Sequence, residues 1–256
     1  KECALLTGVA LGANGNATGA MGIEVGDVDG DGRLDFYVPD FAQSCLYMNQ
    51  GQGFFDDRAL QAGIVKEVGQ HIKWGAALAD FDLDMDLDIY VAMGDANSLT
   101  GYPDHLLVND GHGRFADVSA TAGPWFAEAR CGRGVACGDI DNDGKLDLLV
   151  AHLNDAPVLL RNTTALPGLH WLLLQLVGRA SNRDGIGARA RCRLPDRTTL
   201  RERTSAGSYC SGHDPRLHFG LGTNAVVSEL EIHWPSGKVQ KLASVQADRI
   251  LRVEEP

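Results

Sequence analysis

No stretch of this 256-residue chain approaches the ~18 consecutive apolar residues of a membrane span, and Trp171–Leu174 is a patch of strand length only. The residues from Lys1 onward form no charged-then-apolar leader, so any export signal is expected to have been removed. The six cysteines, Cys3, Cys45, Cys131, Cys137, Cys192 and Cys210, contain no C-x-x-C, which disfavours zinc and thioredoxin-like chemistry. There is no G-x-S-x-G elbow, P-loop, G-x-G-x-x-G, H-E-x-x-H or RGD. Helical periodicity is nearly missing; residues 57–68 and 117–130 are each expected to hold a short turn of helix. Basic residues are scarce in one part of the chain. Residues 1–165 carry 10 Lys+Arg against 25 Asp+Glu, and residues 166–256 carry 13 against 9. The split from −15 to +4 suggests two units with different tasks, and the acidic first unit argues against a nucleic-acid partner there.

What the first 165 residues do contain is a repeat. GIEVGDVDGDGRLDFYV (22–38), GAALADFDLDMDLDIYV (75–91) and GVACGDIDNDGKLDLLV (134–150) align, with their first loop aspartates 53 and 59 residues apart. In each, an apolar strand with small residues enters an acidic loop and a second strand follows at once. A further short strand then ends in Asn: LYMN (46–49), LLVN (106–109) and LLRN (159–162). Gly-rich turns, QGQG (50–53) and DGHG (110–113), lead into a last strand at Phe54 and Phe115 in the first two units. About four antiparallel strands per unit at this period describe propeller blades.

The loop pattern is D-x-D-x-D-G-x-x-D. It places Asp27, Asp29, Asp31 and Asp35 in the first loop, Asp80, Asp82, Asp84 and Asp88 in the second, and Asp139, Asp141, Asp143 and Asp147 in the third. Asp86 adds one more. Carboxylates packed this closely repel one another, and a divalent cation removes the repulsion. Gly32 and Gly144 permit the sharp turn at position 6, position 7 (Arg33, Asp86, Lys145) is expected to offer its backbone carbonyl, and position 9 closes the site. Many hard oxygen ligands favour calcium. Three Ca2+ sites are expected, the second being the weakest because Met85 replaces the glycine. An EF-hand is excluded: its position-12 Glu is Val38, Val91 or Val150 here, in strand sequence. The plain alternative is three solvated acidic turns, which the threefold register disfavours.

These residues resemble the FG-GAP/VCBS repeat family, known from integrin α-subunit propellers, over about 20–162. The resemblance implies calcium in the hairpin loops, with Met85 as the departure. HWLLLQLVGRASNRDGIGARARCRL (170–194), SAGSYCSGHDPRLHFGLG (205–222) and VSELEIHWPSGKVQKL (227–242) resemble the ASPIC/UnbV domain, which follows such repeats in secreted bacterial proteins and in those of cartilage acidic protein type. The pair implies an extracellular, calcium-binding, all-β protein and no settled activity. Read from its residues alone, 166–256 holds about seven short strands with hairpin turns at 195–198 and 235–238, which suggests a small β-sandwich. The expected fold is therefore all-β: a partial β-propeller of three blades (1–165) followed by a β-sandwich (166–256). Three blades seldom close a ring. Missing upstream blades or self-assembly, including a head-to-tail filament, is expected to complete it.

Other candidates are weaker. Local disulfides are expected for Cys131–Cys137 and Cys192–Cys210, with buried free thiols as the alternative. Asn16 and Asn162 head glycosylation sequons. Arg189, Arg191, Arg193, Arg201 and Arg203 alternate on two neighbouring strands, as a basic stripe for an acidic partner or a solvated face. Ser211, His213 and Asp214 are too close in sequence to form a nucleophile–base line, so a turn is expected. Trp125 or Tyr102 is a candidate sugar platform, although core packing is commoner for such rings. The expected function is an extracellular adhesion or ligand-binding module for a protein or glycan. An enzyme on polysaccharide or a secondary metabolite, with the propeller as scaffold, and a purely structural filament subunit are the alternatives.

Overall fold

Runs of Val, Ile, Leu and Tyr flank every acidic loop, and each run becomes a strand because branched and aromatic side chains suit a pleated, half-buried surface. The computed structural model describes residues 2–69 and 71–256. The first sheet is β1 (Glu24–Gly26), β2 (Asp35–Val38), β3 (Cys45–Gly51) and β4 (Phe54–Asp57) in sequential order. The second repeats it with β5 (Lys73–Ala79), β6 (Asp88–Met93), β7 (His105–Asn109) and β8 (Phe115–Asp117). The third has only β9 (Gly132–Gly138), β10 (Asp147–His152) and β11 (Asp155–Leu160). A helix at Ile64–Val68 and 3-10 turns at Ser119–Thr121 and Pro124–Ala127 fill the two linkers expected to hold helical turns.

Alternation along β6 shows how these sheets stack. Ile89 and Val91 point one way, into a core with Tyr37, Leu46 and Met48 of the first sheet. Tyr90 and Ala92 point the other way, into a core with Val135, Leu148 and Val150 of the third. All six residues of β6 are buried. Each of its larger apolar side chains contributes about 2 kcal/mol by leaving water.

The last 90 residues supply the seven strands expected: β12 (Trp171–Val177), β13 (Arg189–Arg193), β14 (Thr198–Glu202), β15 (Leu217–Gly220), β16 (Val226–His233), β17 (Val239–Gln246) and β18 (Arg249–Glu254). They form two sheets, ordered β15-β12-β18 and β14-β13-β16-β17. Leu172, Phe219, Leu230, Ile232 and Trp234 lie in one core between them. β12 and β18 pair in parallel across more than 70 residues of chain, from Leu172 with Arg249 to Val177 with Glu254. Short hairpins cannot make such a pair.

The chain is thus all-β, its sheets are arranged as a β-propeller, and the described residues form five sheets. The expectation of three blades and an appended sandwich is corrected to five sheet units in one assembly. The reason is that residues 201–222 fold back onto β1, β5 and β9, the innermost strands of the first three sheets. Ser208 and Ser211 sit against Gly22, Gly75 and Gly134, where a Cβ would meet Ser208 O at 2.7 Å, Ser208 Oγ at 2.8 Å and Ser211 Oγ at 2.5 Å. These glycines occupy one register of the repeat, five residues before the first loop aspartate.

Two expectations fail on geometry. All six cysteines are free. Cys131 immediately precedes β9 and Cys137 lies near its far end, six residues or about 20 Å along extended chain. Cys192 is buried in β13, whereas Cys210 is exposed. The basic stripe is not one surface. Arg201 pairs in register with Ala190, so it points to the core face, over the Phe219 ring at 5.6 Å. Arg189, Arg191 and Arg193 point outward and meet Glu202, Glu231 and Glu229.

Candidate metal loops and the axial hairpin

Each acidic loop joins the innermost strand of its sheet to the next strand, and each is built from the same hydrogen bonds. The first aspartate turns Oδ2 to the N–H six positions into the loop: Gly32 donates to Asp27 (3.0 Å), Met85 to Asp80 (3.0 Å) and Gly144 to Asp139 (2.9 Å). The ninth-position aspartate is used on both oxygens. Asp35 accepts from Val28 (2.9 Å) and Asn49 (2.7 Å), Asp88 from Phe81 (3.1 Å) and Asn109 (3.0 Å), and Asp147 from Ile140 (3.1 Å) and Asn162 (2.8 Å). This aspartate therefore staples the loop to the third strand of its sheet, a role beyond closing the site.

The asparagines at the ends of the third strands carry the staple onward. Asn109 Nδ2 donates to Val28 O (2.9 Å) in the first loop as well as to its own Leu87 O (3.1 Å). Asn162 Nδ2 donates to Phe81 O (2.9 Å) in the second loop. Each bond runs from one sheet to the one before it. The amide nitrogen of Asn162 is thus committed, while Asn16 is exposed.

Three carboxylates converge in each loop, with ligand-type oxygens all within 4.8 Å: Asp27, Asp29 and Asp35; Asp80, Asp82 and Asp88; Asp139, Asp141 and Asp147. The fifth- and seventh-position side chains stand outside these trios. Asp31 pairs with Arg33, Asp143 with Lys145 (3.1 Å), and Asp86 with Arg197 (2.6 Å). Arg161 also pairs with Asp141. Burial pushes Asp27 up to about 6 and Asp35 and Asp80 up to about 7, and holds Asp88 well above its ordinary value. The donor set fits a hard cation. Asp27 Oδ1 and Asp80 Oδ1 are buried with no hydrogen-bond partner, whereas Asp139 Oδ1 accepts from Asp143 N–H (3.1 Å). A buried carboxylate oxygen without a donor is costly, and a cation relieves it.

The second feature, which the sequence reading missed, is a hairpin over 205–214 at the propeller axis. Ser208 Oγ accepts N–H groups from two sheets, Ala76 (3.1 Å) and Val135 (3.3 Å). Ser208 N–H donates to Glu24 Oε1 in β1 (2.6 Å), which places the first sheet on the same residue. His213 Nδ1 accepts from Cys137 N–H (3.0 Å), so its proton lies on Nε2, which donates to Glu24 Oε1 (3.0 Å). Asp214 pairs with Arg216, and Ser211 Oγ donates to Tyr209 O (2.9 Å). Ser211, His213 and Asp214 form no catalytic line. The glycine five residues ahead of each loop was the available signal. Around this hairpin lies a cleft of about 130 Å³ of mixed lining, with Glu24, Asp80, Arg201, Arg216 and His218 beside Leu78 and Leu217.

At the opposite ends of the sheets, Tyr102 is stacked on His71 (4.0 Å), and Trp125 has Arg130 at 5.5 Å and reaches Tyr90 Oη (3.4 Å). Both ring faces are therefore partly used. No helix among the described residues is long and apolar enough to cross a membrane.

Comparisons with known proteins agree with this architecture. Residues 178–256 match the family model described as ASPIC and UnbV, and residues 80–150, which contain the second and third loops, match that of the FG-GAP-like repeat. Cartilage acidic protein 1 of Xenopus tropicalis is similar, at 27% identity over 316 aligned positions that cover 96% of this chain and 46% of that protein. The Mus musculus and Homo sapiens proteins of the same name are each 34% identical over 135 positions, 51% of this chain and 19% of theirs. The chain thus spans about half the length of the frog relative and about a fifth of the mammalian ones.

Proposed function

For a chain that combines FG-GAP-like repeats with an ASPIC/UnbV segment, we propose an extracellular module that binds calcium in its blade loops and presents its surfaces to a protein or glycan ligand, as an adhesion or ligand-binding part rather than an enzyme. The observation that carries this reading is the pair of buried, unpartnered oxygens Asp27 Oδ1 and Asp80 Oδ1, each inside a convergent carboxylate trio. Bound calcium would supply charge neutralisation and oxygen coordination. The chain's own residues do the rest: the ninth-position aspartates fix the loop to its sheet, and Asn109 and Asn162 fix the first and second loops to the next sheet. Rigid loops and sheets then hold the surfaces in one geometry.

Loop charge ranks the three sites. The third trio already meets Arg161, and its first aspartate is satisfied by Asp143 N–H. The first and second trios have no such ion pair on Asp29 or Asp82 among the described residues, so we place the two stronger sites there, despite Met85 in the second. An enzymatic role finds little support: Ser208 Oγ accepts two backbone N–H groups, and the partner of His213 is Glu24, not a hydroxyl.

Calorimetry and thermal melting with calcium and with a chelator test the proposal. Calcium is expected to bind and to raise the melting temperature. An unchanged melting temperature with no binding heat would defeat it. A glycan panel separates binding from turnover, and turnover would favour the enzyme reading.

A further inference from the structure

We propose that the second acidic loop is a clasp that fixes the C-terminal segment to the propeller, and that an ion in this loop is sealed beneath that segment. The sealing half rests on the calcium reading above; the clasp half does not.

The three loops share one backbone shape, with left-handed residues at positions 4 and 6. In the first loop these are Gly30 and Gly32, and in the third Asn142 and Gly144. All four are residue types that tolerate this region. In the second loop they are Leu83 (φ 64°) and Met85 (φ 84°). Two bulky side chains in left-handed conformations are strained, and such strain persists only where surrounding structure over-determines it.

The surroundings here belong to the C-terminal segment. Leu83 is 3% exposed, and its carbonyl accepts Gly222 N–H at 3.0 Å. Met85 packs against the core formed by the last two sheets, with its Cε 3.3 Å from where a Cβ on Gly222 would stand. Gly220 lies directly on Asp80: a Cβ there would overlap Oδ2 and come within 2.9 Å of Leu83 Cα. Arg197 closes the far side on Asp86 at 2.6 Å. As a result, no residue from Asp80 to Leu87 is exposed, whereas Gly30–Arg33 and Asp141–Asp143 are. Asp80 Oδ1 is the buried atom without a partner in this enclosure. The first loop is open to solvent at Gly30–Arg33 and the third at Asp141–Asp143, although Gly144 of the third lies against Trp171 and His218; the second opens only if residues 217–222 lift.

The double change Leu83→Asn with Met85→Gly gives the second loop the residue types of the third. The two readings of the loop predict opposite signs. If the apolar residues are merely ill suited to the turn, the substitutions relieve strain and raise the melting temperature. If they are the clasp, the protein in chelator is expected to melt about 5 °C lower. Amide hydrogens of residues 217–222 are then expected to lose protection against exchange. A rise, or no change, overturns the clasp. Met85→Gly alone decides the same question if the double variant does not fold. For the sealed ion, radiocalcium exchange on the wild-type protein is expected to show one ion leaving roughly tenfold or more slowly than the others, gated by local opening. Uniform exchange of all bound ions overturns the sealing. Absence of any bound calcium defeats the calcium reading instead, and the melting comparison in chelator still decides the clasp.

Discussion

Replacing Asp88 by Asn isolates the staple from the metal ligand. Asp88 is fully buried, and each of its oxygens accepts one backbone N–H, from Phe81 at 3.1 Å and from Asn109 at 3.0 Å. Protonating the carboxyl leaves two oxygens; an amide leaves one, and its NH2 faces an N–H. One charge-assisted bond is lost and one buried donor is stranded, together about 3 kcal/mol. In a domain of this size that is roughly 10 °C of melting temperature. Asp82→Asn is the matched control. Asp82 accepts only a long contact from Asp84 N–H (3.3 Å), which an amide oxygen also accepts. In chelator, Asp82→Asn is expected to be neutral or slightly stabilising, because it removes a repelling charge from the trio. In calcium, both variants are expected to lose stability relative to wild type. Differential scanning calorimetry of both variants in both conditions supplies the four numbers. Equal behaviour of the two variants in chelator would refute the assignment of the ninth position as a structural staple.

Three further outcomes follow from the same geometry. Burial raises Asp27 to about 6 and Asp35 and Asp80 to about 7, above the 3.8 of an unfolded chain, so the ion-free protein takes up protons on folding. Its melting temperature in chelator is expected to rise as pH falls from 8 to 5, with Asp80 alone contributing about 3 kcal/mol across that window; a fall across that window would contradict the burial argument. Ser208→Ala strands the N–H groups of Ala76 and Val135 and is expected to cost about 2–4 kcal/mol and expose residues 205–214 to protease; wild-type protease resistance would remove the hairpin from its axial role. Among the thiols, only Cys3 and Cys210 are exposed, and burial pushes Cys45 and Cys192 up to about 12, so a thiol reagent is expected to label two cysteines quickly and the other four only on unfolding.

Most of the local structure was legible because it is periodic. The aligned segments around Asp27, Asp80 and Asp139 located six strands and three loops, and alternation located the seven strands after Trp171. What escaped was every contact that joins distant parts of the chain. The asparagines closing LYMN, LLVN and LLRN were visible as a repeated letter, but the bonds of Asn109 and Asn162 to the preceding loop span about 80 residues of sequence. Gly22, Gly75 and Gly134 were visible in register, yet the reason for them, a hairpin numbered above 200, comes from the other end of the chain. The arginines misled because alternation assigns a face within one strand, whereas the relative face of two strands depends on register, and Ala190 pairs with Arg201. Cys131 and Cys137 misled because nearness in sequence is distance along a strand.

Ser208 behaves as a keystone. Each of the three innermost strands has a hydrogen-bonding group on it, and the register glycines of the first two abut it, although a ribosome makes it about 60 residues after the last of the repeats. During synthesis the repeats must wait, sheet edges and carboxylate loops in place but the arch unlocked, until that late hairpin arrives. Nascent chains stopped short of it are the form of this protein most open to wrong partners.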